Sequence, residues 1–138
     1  LVADVSRMGE WSPEATGARR ATPGSQKKVC DTFTGLNKHG IARWSTQCTV
    51  TQANRGEEFE FTVEFKPLKI STWRYTFAAD GEGTIVTEEW FDDRDGLRGA
   101  TIKALGQALI PGSRPEHNSR NMQVTLANLK RAAESQQA

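Results

Sequence analysis

Large apolar residues alternate with polar ones through four strand-like segments within residues 41–93. The aromatic residues in this region are Trp44, Phe59, Phe61, Phe65, Trp73, Tyr75, Phe77, Trp90 and Phe91. A period of two is typical of antiparallel strands that bury one face. A long amphipathic segment, residues 114–134, follows these strands. A curved sheet closed by such a helix can enclose a pocket for an apolar small molecule as well as a core.

Composition excludes several classes of function. The chain has 138 residues, 36% hydrophobic and 25% charged, and a formal net charge of +1. These values indicate a folded globular protein with no global field to attract nucleic acid or anionic membranes. No apolar run approaches the roughly 20 residues that span a bilayer. We therefore expect a cytoplasmic monomer or homodimer that has no cofactor, no nucleic-acid partner and no integral membrane association.

The strand pattern also predicts a register. Residues 28–37 and 41–54 are expected to form a hairpin in which Asn37 faces Ile41. In that register Cys30 faces Cys48, and the simplest interpretation of both cysteines is buried thiols. Further strands are expected over residues 57–66, 68–79 and 84–92.

Helices are predicted both before and after the strands along the chain. Residues 1–8 are expected to be helical, and a second short helical turn would start at Pro13 with Ser12 as its cap. Residues 17–26 are expected to form a loop. A short helix over residues 100–110 precedes the final helix, which starts near Ser113 with a capping box. We predict an α+β fold: a curved antiparallel sheet around a long C-terminal helix, with two short helices near the N-terminus.

Several segments resemble a known family when taken in order. They are LVADV (1–5), EWSPE (10–14), FTGLN (33–37), RWST (43–46), TWRYTF (72–77), VTEEW (86–90) and TLANLK (125–130). This series resembles the polyketide cyclase/dehydrase and lipid-transport family of the START/SRPBCC superfamily. The resemblance implies the birch-pollen-allergen-like helix-grip fold, in which seven strands grip the C-terminal helix around a cavity. Residues 1–138 would be a single START/SRPBCC-like domain whose first strand precedes residue 1.

The inner aromatic residues are the candidate ligand site. The candidate binding residues are Trp11, Phe33, Trp44, Phe59, Phe61, Trp73, Tyr75, Trp90, Met122 and Leu126. The alternative for each is that it simply fills the core. Trp11 would lie at the cavity mouth, or else pack the short helices together.

The candidates for chemistry are Glu88 and Tyr75. A carboxylate in an apolar pocket has a raised pKa and can act as a general acid or base. Tyr75 would donate a hydrogen bond to a ligand carbonyl. The alternative is a solvated sheet face or a structural ion pair, with Arg74 or Arg43 beside Glu88 or Glu89.

Three functions therefore remain open. The first is binding or carrying a hydrophobic small molecule, lipid or polyketide-like, between the sheet and the C-terminal helix. The second is a polyketide cyclase or dehydratase that acts on a ligand in the same cavity. The third is a structural or interaction protein with a fully packed interior. The spacings of His39, His117 and the cysteines indicate neither a hydrolytic triad nor a metal site.

Overall fold

The computed structural model describes residues 1–109 and 112–136. The chain begins with a 3₁₀-helix, Val5–Glu10. The strands are β1 (Ala15–Arg19), β2 (Thr32–His39), β3 (Ala42–Asn54), β4 (Glu58–Phe65), β5 (Leu68–Asp80) and β6 (Gly83–Asp92). The helices α1 (Gly96–Leu109) and α2 (Arg114–Ser135) follow. Among these residues no helix is long and apolar enough to span a membrane.

The six strands form one antiparallel sheet in the order in which they occur along the chain. Irregularities in the pairing of β1 with β2, β3 with β4, and β4 with β5 interrupt the ladders. Such bulges bend strands and increase their twist, and the sheet curls into a half-barrel. The long C-terminal helix and this curled sheet confirm the predicted helix-grip α+β fold.

The sheet register aligns apolar residues across four strands. Val50 of β3 lies opposite Phe61 of β4, and Phe61 lies opposite Trp73 of β5. Trp73 in turn lies opposite Trp90 of β6. Opposed residues point to the same face, so this row defines one side of the sheet. We call it the inner face, because Val50 and Phe61 belong to the same apolar cluster as Leu129 of α2.

The predicted register of the first hairpin is wrong by three residues. Phe33 pairs with Cys48, and Asn37 pairs with Trp44. The strands continue to a two-residue loop that begins at Gly40, whose φ of 57° suits a type II′ turn. Cys30 precedes β2, is exposed, and does not face the buried Cys48.

The N-terminal segment also differs from the prediction. It contains one short helix instead of two, and the segment predicted as loop starts as strand β1. The Ser12 hydroxyl oxygen accepts a hydrogen bond from the Ala15 N–H at 3.0 Å, as a capping serine does. No helix follows, because the next residues are extended and pair with β2. Tertiary pairing therefore overrides a local helix-start signal.

The final helix begins as predicted but without its capping box. Ser113 is the N-cap residue, yet its side chain makes no capping hydrogen bond. The most buried residues of α2 are Asn118, Thr125 and Leu129. Met122 and Leu126 lie half-buried beside them. Helix α1 begins four residues earlier than predicted, and Ile110 lies outside the described residues.

Gly9 allows the 3₁₀-helix to lie close to β1. A Cβ atom at Gly9 would lie 2.6 Å from the carbonyl oxygen of Thr16. We expect Gly9→Ala to lower the free energy of unfolding by about 1–3 kcal/mol, because backbone must move to relieve the clash. Gly106→Ala is the control: Gly106 lies in α1 with no atom within 4 Å of its added Cβ, so little change or slight stabilisation is expected. Equal urea-unfolding curves for the two variants would contradict the prediction.

Candidate ligand-binding site

The inner face carries an extended aromatic surface. The rings of Trp73 and Trp90 lie 6.4 Å apart between centroids, tilted by 49°. The rings of Phe33 and Phe61 meet edge to face at 5.4 Å. The register places Phe59 opposite Tyr75 on the same face. We call these residues the inner aromatic surface, which consists of Phe33, Trp44, Phe59, Phe61, Trp73, Tyr75 and Trp90.

The inner aromatic surface divides by burial. Phe33, Phe59, Phe61 and Tyr75 are buried. Trp44, Trp73 and Trp90 are half-buried, although the register points them to the inner face. The buried rings belong to the apolar core, whereas each of the three tryptophans keeps part of its surface accessible to solvent.

A buried polar pair lies within this surface. Tyr75 and Glu88 face each other across β5 and β6. The Tyr75 hydroxyl donates a hydrogen bond to Glu88 Oε1 at 2.7 Å. The other carboxylate oxygen of Glu88, Oε2, is buried without a hydrogen-bond partner among the described residues. An unpaired buried oxygen costs free energy, which makes it available for a hydrogen bond with a bound molecule.

The environment changes the acid–base properties of the pair. Burial raises the pKa of Glu88 to about 7, against a smaller opposing effect of the hydrogen bond from Tyr75. Burial, together with the nearby carboxylate, raises the pKa of Tyr75 well above its ordinary value. Near neutral pH, Glu88 is therefore able to accept or donate a proton, whereas Tyr75 remains a hydrogen-bond donor.

The remaining predicted binding residues lie in different surroundings. Trp11 is 1% exposed, and its backbone carbonyl accepts a hydrogen bond from the Asn128 side-chain amide at 3.0 Å. The Arg7 guanidinium lies over its ring. Trp11 is therefore packed between the N-terminal segment and α2. Met122 and Leu126 lie half-buried on α2.

The arginines considered as partners of Glu88 lie elsewhere. Arg74 pairs with Glu60 at 2.7 Å and approaches Glu89 at 3.8 Å. Both glutamates alternate with inner-face residues, so this ion-pair group lies on the outer face of the sheet. Arg43 lines a separate pocket near the β2–β3 hairpin. Among the described residues, the Glu88 carboxylate accepts a hydrogen bond from Tyr75 and not from either arginine.

The structure also brings together polar residues that sequence reasoning missed. Glu14, His39 and His117 converge beside Arg114 and Asn121. A pocket of about 470 Å³ opens here, and it is also lined by Pro13, Lys38, Gly40 and Arg43. No spacing in the sequence indicates this group, because its members come from the loop before β1, the hairpin tip and the first turns of α2. The sequence pattern places His39 at a hairpin end and His117 near a helix start, but it does not bring the two together.

Comparison with known proteins confirms the resemblance. A solved structure, determined by solution NMR for a polyketide cyclase-like protein of Corynebacterium glutamicum, is similar to this chain with 25% sequence identity and a TM-score of 0.52. The match covers 92% of this chain and 77% of that protein. A comparison with curated proteins finds no match. The family model described as polyketide cyclase/dehydrase and lipid transport matches residues 1–134. Since that match spans nearly the whole sequence, the chain belongs to the polyketide cyclase/dehydrase and lipid transport family.

Proposed function

We propose that this protein binds or carries a hydrophobic small molecule, lipid or polyketide-like, between the sheet and α2. Family membership supports a hydrophobic ligand-binding role in general. The observation that carries the proposal for this chain is the inner aromatic surface. Its tryptophans point inward yet remain accessible, next to a buried carboxyl oxygen that has no partner among the described residues.

Two physical contributions would hold the ligand. Burying apolar surface contributes about 25 cal/mol per Å², so contact with Trp73 and Trp90 supplies most of the affinity. Glu88 Oε2 supplies orientation: it accepts a hydrogen bond from a ligand hydroxyl when ionised and donates one to a carbonyl when protonated. Mostly apolar walls with a few polar groups are typical of small-molecule sites.

Native mass spectrometry of the purified protein, followed by organic extraction, tests the proposal most directly. We expect a mass shift that disappears on extraction, and an extract that contains a lipid or an aromatic polyketide-like compound. A protein that carries no such compound and also fails to bind an added apolar probe would contradict the proposal. That result would favour the fully packed structural protein.

Neighbouring residues on β6 offer a matched test with the probe 1-anilinonaphthalene-8-sulfonate. Trp90 belongs to the inner aromatic surface, whereas the next residue, Phe91, points to the outer face. We expect Trp90→Ala to weaken probe binding by about tenfold or more, the loss that corresponds to about 1.4 kcal/mol of apolar contact. Phe91→Ala should leave the fluorescence titration unchanged. Equal effects of the two variants would show that the probe binds outside the proposed site.

The Tyr75–Glu88 pair supports a second candidate function, a polyketide cyclase or dehydratase. General acid–base catalysis is most effective when the pKa lies near the working pH, as that of Glu88 does. With a β-polyketone substrate analogue, we expect cyclisation or dehydration to be faster than in buffer. Glu88→Gln and Tyr75→Phe should lose this acceleration while probe binding is retained. Unchanged turnover in both variants would contradict these roles and leave the binding function.

A further inference from the structure

We propose that Glu14, His39 and His117 form a binding site for a divalent transition-metal ion. This site is separate from the inner aromatic surface and does not depend on the proposed ligand function. The two histidines are the only histidines of the chain, and they lie on different elements. The fold brings both to one carboxylate at the pocket near the β2–β3 hairpin.

The geometry suits a metal with nitrogen and oxygen ligands. One ligand atom from each of the three residues lies within 4.8 Å of the others. His117 Nε2 lies 2.8 Å from Glu14 Oε2, and the rings of His39 and His117 are 4.8 Å apart at 74°. Ligand atoms around a tetrahedral zinc ion lie roughly 3.3–3.5 Å apart. Small side-chain rotations are therefore sufficient to enclose an ion.

The surroundings hold the proposed ligands in place. The Arg114 guanidinium donates two hydrogen bonds to the Glu14 carboxylate, at 2.6 and 3.1 Å. A carboxylate has about four lone-pair sites, so this contact leaves capacity for a metal. Hydrogen bonds to a ligating carboxylate typically orient it. The Asn121 side-chain nitrogen lies 3.0 Å from His117 Nε2, the atom that would bind the ion, so this amide moves aside when the ion enters.

The neighbouring charges also shape what the site would bind. Arg114 lowers the negative potential at Glu14, so we expect moderate affinity for the cation. Two histidines and one carboxylate leave coordination positions open toward the pocket, as in metal sites that bind a further ligand. Lys38 and Arg43 line that pocket and favour an anionic ligand, such as a carboxylate, at the open position.

The alternative role of the cluster is an ion-pair latch that ties the start of α2 to the segment before β1. His39→Ala separates the two roles, because His39 takes no part in the Glu14–Arg114 ion pair. Under the metal proposal, isothermal titration of the wild-type protein with Zn²⁺ gives about one ion per chain. His39→Ala should then weaken Zn²⁺ binding at least about 100-fold, since loss of an outer contact alone typically costs 10–100-fold.

Two control variants complete the test. Lys38→Ala alters the same pocket without removing a proposed ligand, and Cys30→Ser tests whether the exposed thiol contributes to any zinc binding. Cys30→Ser should bind Zn²⁺ as the wild type does, and Lys38→Ala should bind it at least as tightly, because this change removes a positive charge from the pocket. Co²⁺ should give visible absorption bands that His39→Ala abolishes. The proposal would be overturned by no Zn²⁺ binding to the wild type, by unchanged binding in His39→Ala, or by loss of binding in Cys30→Ser.

Discussion

Replacing Phe33 by alanine is expected to lower the free energy of unfolding by about 3–5 kcal/mol. The Phe33 side chain is 1% exposed and packs edge to face against Phe61. Truncation removes that contact and leaves a cavity that the strands on either side cannot collapse to fill. Urea or guanidinium unfolding, monitored by far-ultraviolet circular dichroism, measures the loss.

Phe65→Ala is the matched control. Phe65 ends β4 and is 73% exposed, although its alternation with Phe59 and Phe61 predicts a buried position. We expect this variant to change the free energy of unfolding by less than about 0.5 kcal/mol. A loss below about 1 kcal/mol for Phe33→Ala would instead mean that the ring lines an open cavity, as a ligand-binding role requires.

Wild-type stability is expected to fall by up to about 3 kcal/mol between pH 4.5 and pH 8 through the titration of Glu88 alone. Burial raises the pKa of Glu88 from 4.5 to about 7, and each pKa unit corresponds to about 1.4 kcal/mol. A raised pKa means that the folded state binds the proton more tightly than the unfolded state. The stability that the protonated Glu88 contributes is therefore fully present below about pH 4.5 and is lost as the pH rises through 7.

Glu88→Gln isolates this contribution. The amide does not titrate, so its unfolding free energy should lack the fall that the wild type shows over this range. Glu89→Gln, a change at the next residue on the outer face, should retain the wild-type fall. Parallel pH profiles for the wild type and Glu88→Gln, from chemical unfolding at closely spaced pH values, would contradict the assignment of this titration to Glu88.

Most of the sheet and its inner face follow from local patterns. Period-two alternation predicts the strands around Phe61 and Trp73, because side chains of a strand point alternately to opposite faces. The same parity correctly places Glu88 between Val86 and Trp90 on the inner face. Turn residues such as Gly56 and Gly81, both with positive φ, mark where the hairpins reverse.

The first hairpin shows where this reasoning fails. Two loop lengths are compatible with Gly40, and the choice between them shifts every pair in β2 and β3. The shorter loop allows Phe33 and Trp44 to share the inner face, which the predicted register does not. Packing of the whole inner face therefore selects the register, and the turn residues do not.

The order of alternating residues, turns and one long amphipathic segment was enough to indicate an α+β fold with a curved antiparallel sheet, a C-terminal helix and an aromatic inner face. These features are local, since each depends on residues a few positions apart. The three-dimensional fold established that Tyr75 donates to Glu88, that Trp11 is packed and that Glu14 meets both histidines. Those contacts join residues 13 to 117 positions apart, and their distances depend on sheet curvature and helix placement. No local periodicity encodes such distances, so the candidate sites can be identified only in the folded structure.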